Sequence, residues 1–466
     1  MKKNIDTEAI YLSLPVPFQN LLITLEGWRL KKRRYGNEYE NVCREVLERS
    51  LFNDEKLIQY QDKRLRVFLA LATKSPFWKR RFSEYKIRID GEDIFSEIKK
   101  LPVLTKDEVK KHADEILDKS TSQSECISCH TSGTTGSGLV FKTTRKAEME
   151  QWATWWRYRS WHNISFDTWC GYFGGRSIVP LKQKTPPFWR VNRAGKQLMF
   201  STYHLRAETS VHYFKALREH KIEWLHGYPS VLALLASFFL ELKMPPLSSL
   251  KIITTGAESL LPQQRKIIEK AFEVSVRQHY GQAEAVANIS ECEEGDFHVD
   301  EDFSLVEFIP VDADSKKYRI AGTNWTNPVF PLIRYDTGDI ATLGDDRCSC
   351  GKVGRMVKEI DGRIEDYVTL PDGSKVGRMD HIFKDLIHIR EAQVYQKEAG
   401  EIIFRVVKGD GYDECREEQK LISEGKKRLG NDIKISVHYA DKLPRTSSGK
   451  LRLVVSEISR IESNIE

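Results

Sequence analysis

Strand-like apolar segments alternate with helical segments in the middle of this sequence, and this alternation constrains the fold most. Helices are expected over residues 230–242 and 262–272. Short apolar strands are expected near residues 223–226, 251–255 and 275–279. Strands and helices that alternate in this way form crossover units around a sheet. The sequence therefore predicts a mixed α/β fold for the large N-terminal part of the chain.

The pattern changes towards the C-terminus. Residues 303–343 consist of strands and turns, which suggests a barrel-like subdomain. After Asp361-Gly362-Arg363 comes a smaller segment with its own strands and a helix at about 413–429. A length of 466 residues allows one large and one small domain. We predict a large domain over 1–361, helical in its first 104 residues, and a small mobile α+β lid over 362–466.

A loop of small polar residues indicates phosphate binding. Thr131-Ser132-Gly133-Thr134-Thr135-Gly136-Ser137-Gly138 contains no side chain larger than threonine, and it lies between two predicted strands. Such a loop can direct several backbone N–H groups and hydroxyls at one anion. The lysine of a P-loop does not follow Gly138, so the chain is not a P-loop NTPase. A second loop holds Lys450 after Gly449, far downstream. The two together predict a nucleotide site completed by a second domain.

Composition excludes several classes of protein. The net charge is +6, and hydrophobic residues make up 40% of the chain, as in an ordinary globular protein. The basic run Arg29–Arg34 could contact nucleic acid or membrane, but a solvated helix face is favoured because no second basic cluster accompanies it. No apolar run is long enough to span a bilayer. Eight scattered cysteines indicate reduced thiols and a cytoplasmic location. Because the basic run has no second cluster beside it, we expect no nucleic-acid partner.

Four residues have the spacing of a zinc site. Cys292 and His298 form one pair, and Cys348 and Cys350 form a second pair about fifty residues later. Three thiolates and one imidazole suit a closed tetrahedral zinc site with a structural role. The alternative is four unrelated residues, and we favour zinc.

The order of several short motifs resembles that of the adenylate-forming (acyl-AMP) superfamily. The motifs are the Thr131 loop, Gly256-Ala257-Glu258, Tyr280-Gly281-Gln282-Ala283-Glu284, Tyr335-Asp336-Thr337-Gly338-Asp339, Gly362-Arg363 and the Lys450 loop. Within that superfamily the chain is most similar to the phenylacetate–CoA ligase and CapK capsular-polysaccharide branch. Positions similar to the four Cys/His residues bind zinc in the phenylacetate–CoA ligases. The resemblance covers most of the chain, from about Thr131 to Lys450.

The resemblance implies a role for each matched residue. The pyrophosphate would be held by Thr131, Ser132, Gly133, Thr134, Thr135 and Gly136. Adenine would be surrounded by Gly256, Ala257, Glu258, Tyr280 and Gly281, with Tyr280 stacked on the base. Asp339 would contact the ribose, and Arg363 would contact the ribose or the phosphate side. Glu284 would coordinate Mg²⁺, and Lys450 would neutralise charge at the reacting centre. Tyr228 and Ser230 are expected to border the acyl pocket. Two positions depart from the family, since Ala283 replaces a Thr or Ser and Asp336 replaces an Arg.

These expectations predict an AMP-forming ligase that converts a carboxylate and ATP into acyl-AMP and pyrophosphate, then transfers the acyl group to an acceptor. The implied cofactors are ATP, Mg²⁺, structural Zn²⁺ and coenzyme A, the default acceptor. A sugar-linked amine or hydroxyl of capsule or O-antigen synthesis is the alternative acceptor. A third alternative is a nucleotide-binding accessory protein of that pathway without ligase turnover.

Overall fold

A computed structural model describes residues 7–131, 139–175, 178–311, 316–344, 348–363, 368–371, 375–376, 379–383, 388–409, 411–446 and 451–458. Its α-helices are α1 Thr7–Ser13, α2 Val16–Arg34, α3 Tyr39–Arg49, α4 Asp54–Ala72, α5 Pro76–Glu84, α6 Ile94–Lys99, α7 Lys106–Lys111, α8 Ala113–Ile116, α9 Arg145–Trp161, α10 Ala207–Glu219, α11 Pro229–Glu241, α12 Pro262–Phe272 and α13 Glu414–Leu429.

The strands are β1 Cys126–His130, β2 Val140–Thr144, β3 Cys170–Phe173, β4 Trp189–Asn192, β5 Gln197–Phe200, β6 Trp224–Gly227, β7 Ile252–Thr255, β8 Val276–Gly281, β9 Asn288–Glu291, β10 Phe297–Val299, β11 Leu305–Pro310, β12 Lys317–Thr323, β13 Tyr335–Leu343, β14 Met356–Arg363, β15 Val368–Thr369, β16 Lys375–Val376, β17 Ile389–Gln396, β18 Glu401–Lys408, β19 Lys434–Tyr439 and β20 Val454–Ser456. The chain divides into two compact units. The first comprises Met1–Trp28, Phe166–Gln278 and Asp361–Glu466, and the second Arg29–Ser165 and His279–Ile360.

A parallel sheet forms the centre of the first unit. Its strands follow the order β8-β7-β6-β3-β5-β4, and only β4 runs antiparallel to its neighbour. Helices α10, α11 and α12 connect the parallel strands, as crossover connections require. The buried side chains of α11, such as Leu232 and Leu235, pack with strand residues such as Leu225 and Ile253 in one apolar core. The predicted mixed α/β fold is therefore confirmed, and helix α12 has the predicted bounds.

The C-terminal part of the first unit has its own sheet, in the order β19-β18-β17-β20. Helix α13 covers it, with Leu421 and Leu429 in a separate apolar core beside Phe404. One strong contact to the preceding part of this unit is an ion pair in which Arg390 Nη2 donates to both carboxylate oxygens of Glu241, at 2.6 and 2.7 Å. The predicted domain division at residue 361 remains a prediction.

The second unit combines N-terminal helices, a hairpin and an antiparallel sheet. The sheet has the order β11-β12-β13-β14-β10-β9, and residues 279–281 of β8 pair with β9. Strands β1 and β2 form the predicted hairpin around residues 132–138. The basic run is not wholly solvated, because Arg33 and Arg34 both bond to Glu148.

Helix α7 follows Thr105 directly and is short, ending at Lys111. The Thr105 hydroxyl caps it by accepting the backbone N–H of Glu108. The carboxylate of Glu108 bonds to Arg81. At His112 the backbone leaves helical geometry, with φ −113° and ψ 18°, and the short helix α8 follows.

Candidate active site

Two predicted motifs lie beside each other at the carboxyl edge of the parallel sheet. Gly227, at the end of β6, pairs with Thr255, at the end of β7. Tyr228 and Gly256 follow these residues directly, at the edge where ligands bind in open α/β sheets. Ala257 has a left-handed φ of +66°, a conformation that is costly for a residue with a side chain and that is often retained at functional sites. The geometry is that of a ligand-binding edge.

Glu258 lies at the centre of a polar network at this edge. Its Oε2 accepts the backbone N–H of Ser230 at 3.2 Å, and its Oε1 accepts the backbone N–H of Leu451 at 3.0 Å. Loss of solvation raises the pKa of this carboxyl group. Ser230 is itself buried, and its Oγ accepts a 3.0 Å hydrogen bond from Arg445 Nη1. Ser230, which was expected to border the acyl pocket, is therefore also part of this network. Tyr228 was expected to border the same pocket, and burial raises its pKa to about 12.

The same network fixes both ends of the segment that contains Lys450. Arg445 and Leu451 pair as an antiparallel bridge, and Arg445 also bonds to the buried carboxylate of Glu391. Lys450 lies outside the described residues, but the chain on either side of it is bonded to Ser230 and Glu258. The two distant motifs, Gly256-Ala257-Glu258 and the Lys450 loop, thus meet at one place in the first unit.

Two more predicted site residues meet in the second unit. The hydroxyl of Tyr280 donates to Asp339 Oδ2 at 2.7 Å and accepts from Gln282 Nε2 at 2.8 Å. Burial, followed by the charge of Asp339, raises the pKa of Tyr280 well above its ordinary value, so the hydroxyl remains a donor at neutral pH. The Tyr280 ring packs against the apolar core of the antiparallel sheet.

The turn before Asp339 is held by its own side chains. Asp336 Oδ1 accepts the N–H of Gly338 at 2.9 Å, and Thr337 Oγ1 accepts the N–H of Asp339 at 3.0 Å. Gly338 has φ +75°, which favours glycine there. Asp336, the departure from the family pattern, also pairs with Arg319 at 3.1 Å. It therefore has a structural role in shaping this turn.

Glu284 is buried, and its carboxylate accepts a long hydrogen bond of 3.4 Å from the Tyr335 hydroxyl. Its carbonyl accepts from Asn324 Nδ2, a side chain that also binds the backbone of Leu332. Gly281 lies on β8, where a Cβ would come within 2.9 Å of Asn288 Oδ1. The structure thus fixes the backbone of this motif tightly.

Thr131 is the described end of the predicted phosphate loop. Its backbone N–H and its hydroxyl oxygen both bond to Leu139, at 2.9 and 2.8 Å, which closes the base of the loop. Ser132, Gly133, Thr134, Thr135 and Gly136 lie outside the described residues. Arg363 ends strand β14, and its side chain also lies outside what is described.

A buried network beside Tyr280 was not predicted from the sequence. His279 Nε2 and Trp155 Nε1 both bond to Asn288 Oδ1, at 2.7 and 3.0 Å, and Asn288 Nδ2 donates to Asp300. Arg157 then bridges Asp300 and Asp302. Burial lowers the pKa of His279 to about 4, so its ring is neutral near pH 7. Polar residues such as His279 and Asn288 in strands β8 and β9 were the signal available in the sequence.

The four predicted metal ligands come together in the second unit. One ligand atom from each of Cys292, His298, Cys348 and Cys350 lies within 4.8 Å of all the others. The sulfurs of Cys292 and Cys348 are 3.7 Å apart, and Cys350 Sγ lies 3.3 Å from His298 Nε2. Zn–S bonds of about 2.3 Å at tetrahedral angles would separate two sulfurs by roughly 3.8 Å. The donor set therefore fits a four-coordinate zinc ion.

Comparison with known proteins agrees with this picture. Residues 368–457 match the family model described as the CapK C-terminal domain. Protein CapK of Staphylococcus aureus is 29% identical over 462 residues, which cover 96% of this chain and 99% of that protein. A phenylacetate-coenzyme A ligase of Thermus thermophilus is 24% identical over 240 residues, which cover 44% of this chain and 54% of that protein.

A solved structure shares the fold. It is 2-hydroxyisobutyryl-CoA ligase in the postadenylation state in complex with 2-HIB-AMP, with a TM-score of 0.67 at 18% identity. The match covers 89% of this chain and 92% of that one. The resemblance to the adenylate-forming superfamily and to its phenylacetate–CoA ligase and CapK branch is confirmed. Among the described helices, none has the length and apolar character needed to cross a membrane.

Proposed function

We propose that this chain is an AMP-forming ligase that activates a carboxylate with ATP and passes the acyl group to an acceptor, with coenzyme A as the default. A carboxylate oxygen attacks the α-phosphorus, and the bond to the bridging oxygen breaks to release pyrophosphate. In the second step the acceptor attacks the acyl carbon, AMP leaves, and the acceptor's proton is lost. The fold and the relatives, which include CoA ligases, support this reaction.

The observation that carries the proposal is the pair of Tyr280 and Asp339. A carboxylate held by one tyrosine hydroxyl and a shaped turn is ready to accept hydrogen bonds from ribose hydroxyls. Because the turn is fixed before any ligand binds, little ordering would be needed on binding. Glu284 would hold Mg²⁺, and the loop that begins at Thr131 would hold the phosphates.

Lys450 would neutralise charge as the carboxylate and α-phosphate approach each other. Its support is indirect, through the hydrogen bonds of Arg445 and Leu451 at the carboxyl edge of the sheet. Gly256, Ala257 and Glu258 would form the wall beside the adenine base. In this proposal the carboxyl group of Glu258 shapes that wall and does not touch the base.

We further propose that Cys292, His298, Cys348 and Cys350 hold one structural zinc ion. Four protein ligands leave no position for a substrate or a reactive water. The ion would tie the segment after β9 to the segment after β13, and β13 carries Asp339. Its role would be to stabilise the nucleotide side of the second unit.

A second candidate concerns the acceptor. The similarity to Protein CapK extends over almost the full length of both proteins, and the C-terminal match is to the CapK family. The resemblance to the CapK capsular-polysaccharide branch implies a sugar-linked amine or hydroxyl as the acceptor. A nucleotide-binding accessory without turnover is the non-enzymatic form of this alternative. We propose a cytoplasmic location for the protein, whether it is a ligase that uses coenzyme A, a ligase that uses a sugar-linked acceptor or an accessory protein.

The test is carboxylate-dependent exchange of labelled pyrophosphate into ATP across a panel of aliphatic, aromatic and hydroxy acids. Exchange above the carboxylate-free control identifies the acid and establishes adenylation. Coenzyme A, amino sugars and sugar nucleotides are then added in turn, and the acylated product is identified by mass spectrometry. Tight nucleotide binding without exchange for any acid would favour the accessory protein.

A further inference from the structure

Helix α2 packs against strand β4 through polar side chains. Asn20 Oδ1 accepts the backbone N–H of Val191 at 2.9 Å, and the Thr24 hydroxyl donates to the Val191 carbonyl at 3.2 Å. Gln19 is fully buried, and its side chain bonds to Arg190. These partners belong to β4, which is the edge strand of the parallel sheet. The helix therefore satisfies the polar groups of a sheet edge.

Glycine allows this contact to be close. Gly27 is buried, and a Cβ at this position would clash with the side chain of Asn192 on the same strand. Gln19, Asn20, Thr24 and Gly27 recur at the spacing of one helix face. The two buried positions of α2, Gln19 and Gly27, are thus polar or small, which is the reverse of an ordinary surface helix.

The outward face is apolar. Its large side chains are Phe18 at 57% exposed, Leu21 at 53%, Leu22 at 41%, Leu25 at 53% and Trp28 at 57%. They follow the spacing i, i+3, i+4, i+7 and i+10, so they form one continuous stripe along the helix. Ile10, on the preceding helix, is 52% exposed as well. Contiguous apolar surface of this kind marks an interaction site rather than ordinary scatter.

Positive charge follows the stripe on the same helix. The last six positions of α2 contain five basic residues, against one acidic residue, Glu26, in the whole helix. Arg29, Lys31 and Lys32 are exposed. Arg33 and Arg34 are half-buried and bond to Glu148. A helix with Phe, Leu and Trp on one face and Lys or Arg beside them is suited to lie in the plane of a membrane interface.

We infer that the outward face of α2 binds the surface of a bilayer that contains anionic lipids. The apolar stripe would enter the boundary between headgroups and acyl chains, and the exposed cations would meet the negative headgroups. Charge favours this partner over a second copy of the chain, because a second copy carries the same cations and a net charge of +6. The attachment would be peripheral and reversible.

The experiment measures binding of the full chain to sedimenting vesicles. One set contains phosphatidylglycerol and phosphatidylcholine, and the other contains phosphatidylcholine alone. We expect binding to the anionic set and much weaker binding to the neutral set. Leu21→Ser with Leu25→Ser should weaken binding about tenfold or more. Each substitution removes the favourable free energy that is gained when a leucine side chain moves from water into the bilayer. Lys31→Glu with Lys32→Glu should weaken binding to anionic vesicles alone.

The matched control is Leu47→Ser with Leu51→Ser, which removes two exposed leucines elsewhere, 50% and 84% exposed. This control should bind vesicles as the unchanged chain does. Three results would overturn the inference: no binding of the unchanged chain to anionic vesicles, undiminished binding of the Leu21/Leu25 variant, or equal loss in the control. A different outcome is possible: light scattering shows that the unchanged chain is a dimer, that only the Leu21/Leu25 variant is a monomer, and no protein binds vesicles. In that case the face is a contact between two copies, and the membrane inference fails.

Discussion

The hydroxyl of Tyr280 donates a 2.7 Å hydrogen bond to Asp339 Oδ2, which joins two motifs that lie 59 positions apart. The tyrosine hydroxyl is also the acceptor for Gln282, so it is held from both sides. The orientation of the Asp339 carboxylate therefore depends on Tyr280 as well as on its own turn. This dependence can be tested separately from any contact that either side chain makes with a nucleotide.

Tyr280→Phe keeps the aromatic ring and removes the hydroxyl. We expect the free energy of unfolding to fall by about 1–2 kcal/mol, because a carboxylate loses a donor. ATP affinity, measured by calorimetry, should fall about tenfold as Asp339 loses its fixed orientation. The control is Tyr213→Phe, which removes the buried hydroxyl that bonds to the Ser201 carbonyl in the first unit. The control should lose stability and keep its ATP affinity. Equal loss of affinity in both would show that the Tyr280 bond has no specific role.

Arg445→Gln tests the attachment of the segment before Lys450. The change removes the hydrogen bond to Ser230 and leaves the buried Glu391 without its cation. We expect pyrophosphate exchange at saturating ATP to fall at least about tenfold, because Lys450 would lose its position. Arg390→Gln is the control, since it breaks an ion pair with Glu241 in the same unit. It should lower the melting temperature and leave exchange nearly unchanged. Equal loss of exchange in both would contradict a positioning role.

The lowered pKa of His279 predicts that the stability of the protein depends on pH. Burial lowers the pKa of its ring from 6.5 to about 4, so the folded state binds fewer protons than the unfolded state between these values. The contribution of this ring to the free energy of unfolding is therefore highest near pH 7, where the ring is neutral in both states, and it falls as the pH falls. We expect a loss of about 2 kcal/mol between pH 7 and pH 5 from this group.

Denaturant unfolding at several pH values, with His279→Gln beside the unchanged chain, isolates this contribution. Glutamine can still donate to Asn288 Oδ1, and it does not titrate. The variant should therefore show a flatter pH profile by about 2 kcal/mol over the same interval. Identical profiles for the two proteins would refute the neutral, buried state of this ring.

The proposed zinc site predicts about one zinc ion per chain in protein purified without chelator. Cys348→Ser should lose most of the zinc and lower the melting temperature by several degrees, because the tie between two segments is removed. Cys415→Ser, which changes an exposed thiol on α13, serves as the control and should retain the metal. Full zinc content in the Cys348 variant would exclude this site.

Local patterns in the sequence were sufficient for much of the fold. Both ends of helix α12 could be predicted because Pro262 starts the helix and its apolar face runs to Phe272. The cluster of three cysteines and one histidine could be predicted because its two pairs have a recognisable spacing. In both cases the signal lies within a short stretch or in residue types with few other uses.

Polar contacts between distant segments could not be predicted in this way. Neither the bond between Tyr280 and Asp339 nor the role of Glu258 in holding Leu451 follows from periodicity, because each depends on which segments the fold brings together. Helix α2 illustrates a different difficulty. Its basic end was interpreted as a solvated face, and only the contacts of Gln19 and its neighbours show that the apolar face points outward.

The most direct test of the proposed ligase activity is pyrophosphate exchange with Lys450→Ala beside the unchanged chain. We expect the unchanged chain to exchange pyrophosphate into ATP only when its carboxylate is present. The variant should lose exchange while ATP still raises its melting temperature, since Lys450 would act on the transition state and not on nucleotide binding. Near-normal exchange in the variant, or no exchange by the unchanged chain with any acid, would contradict the proposed function.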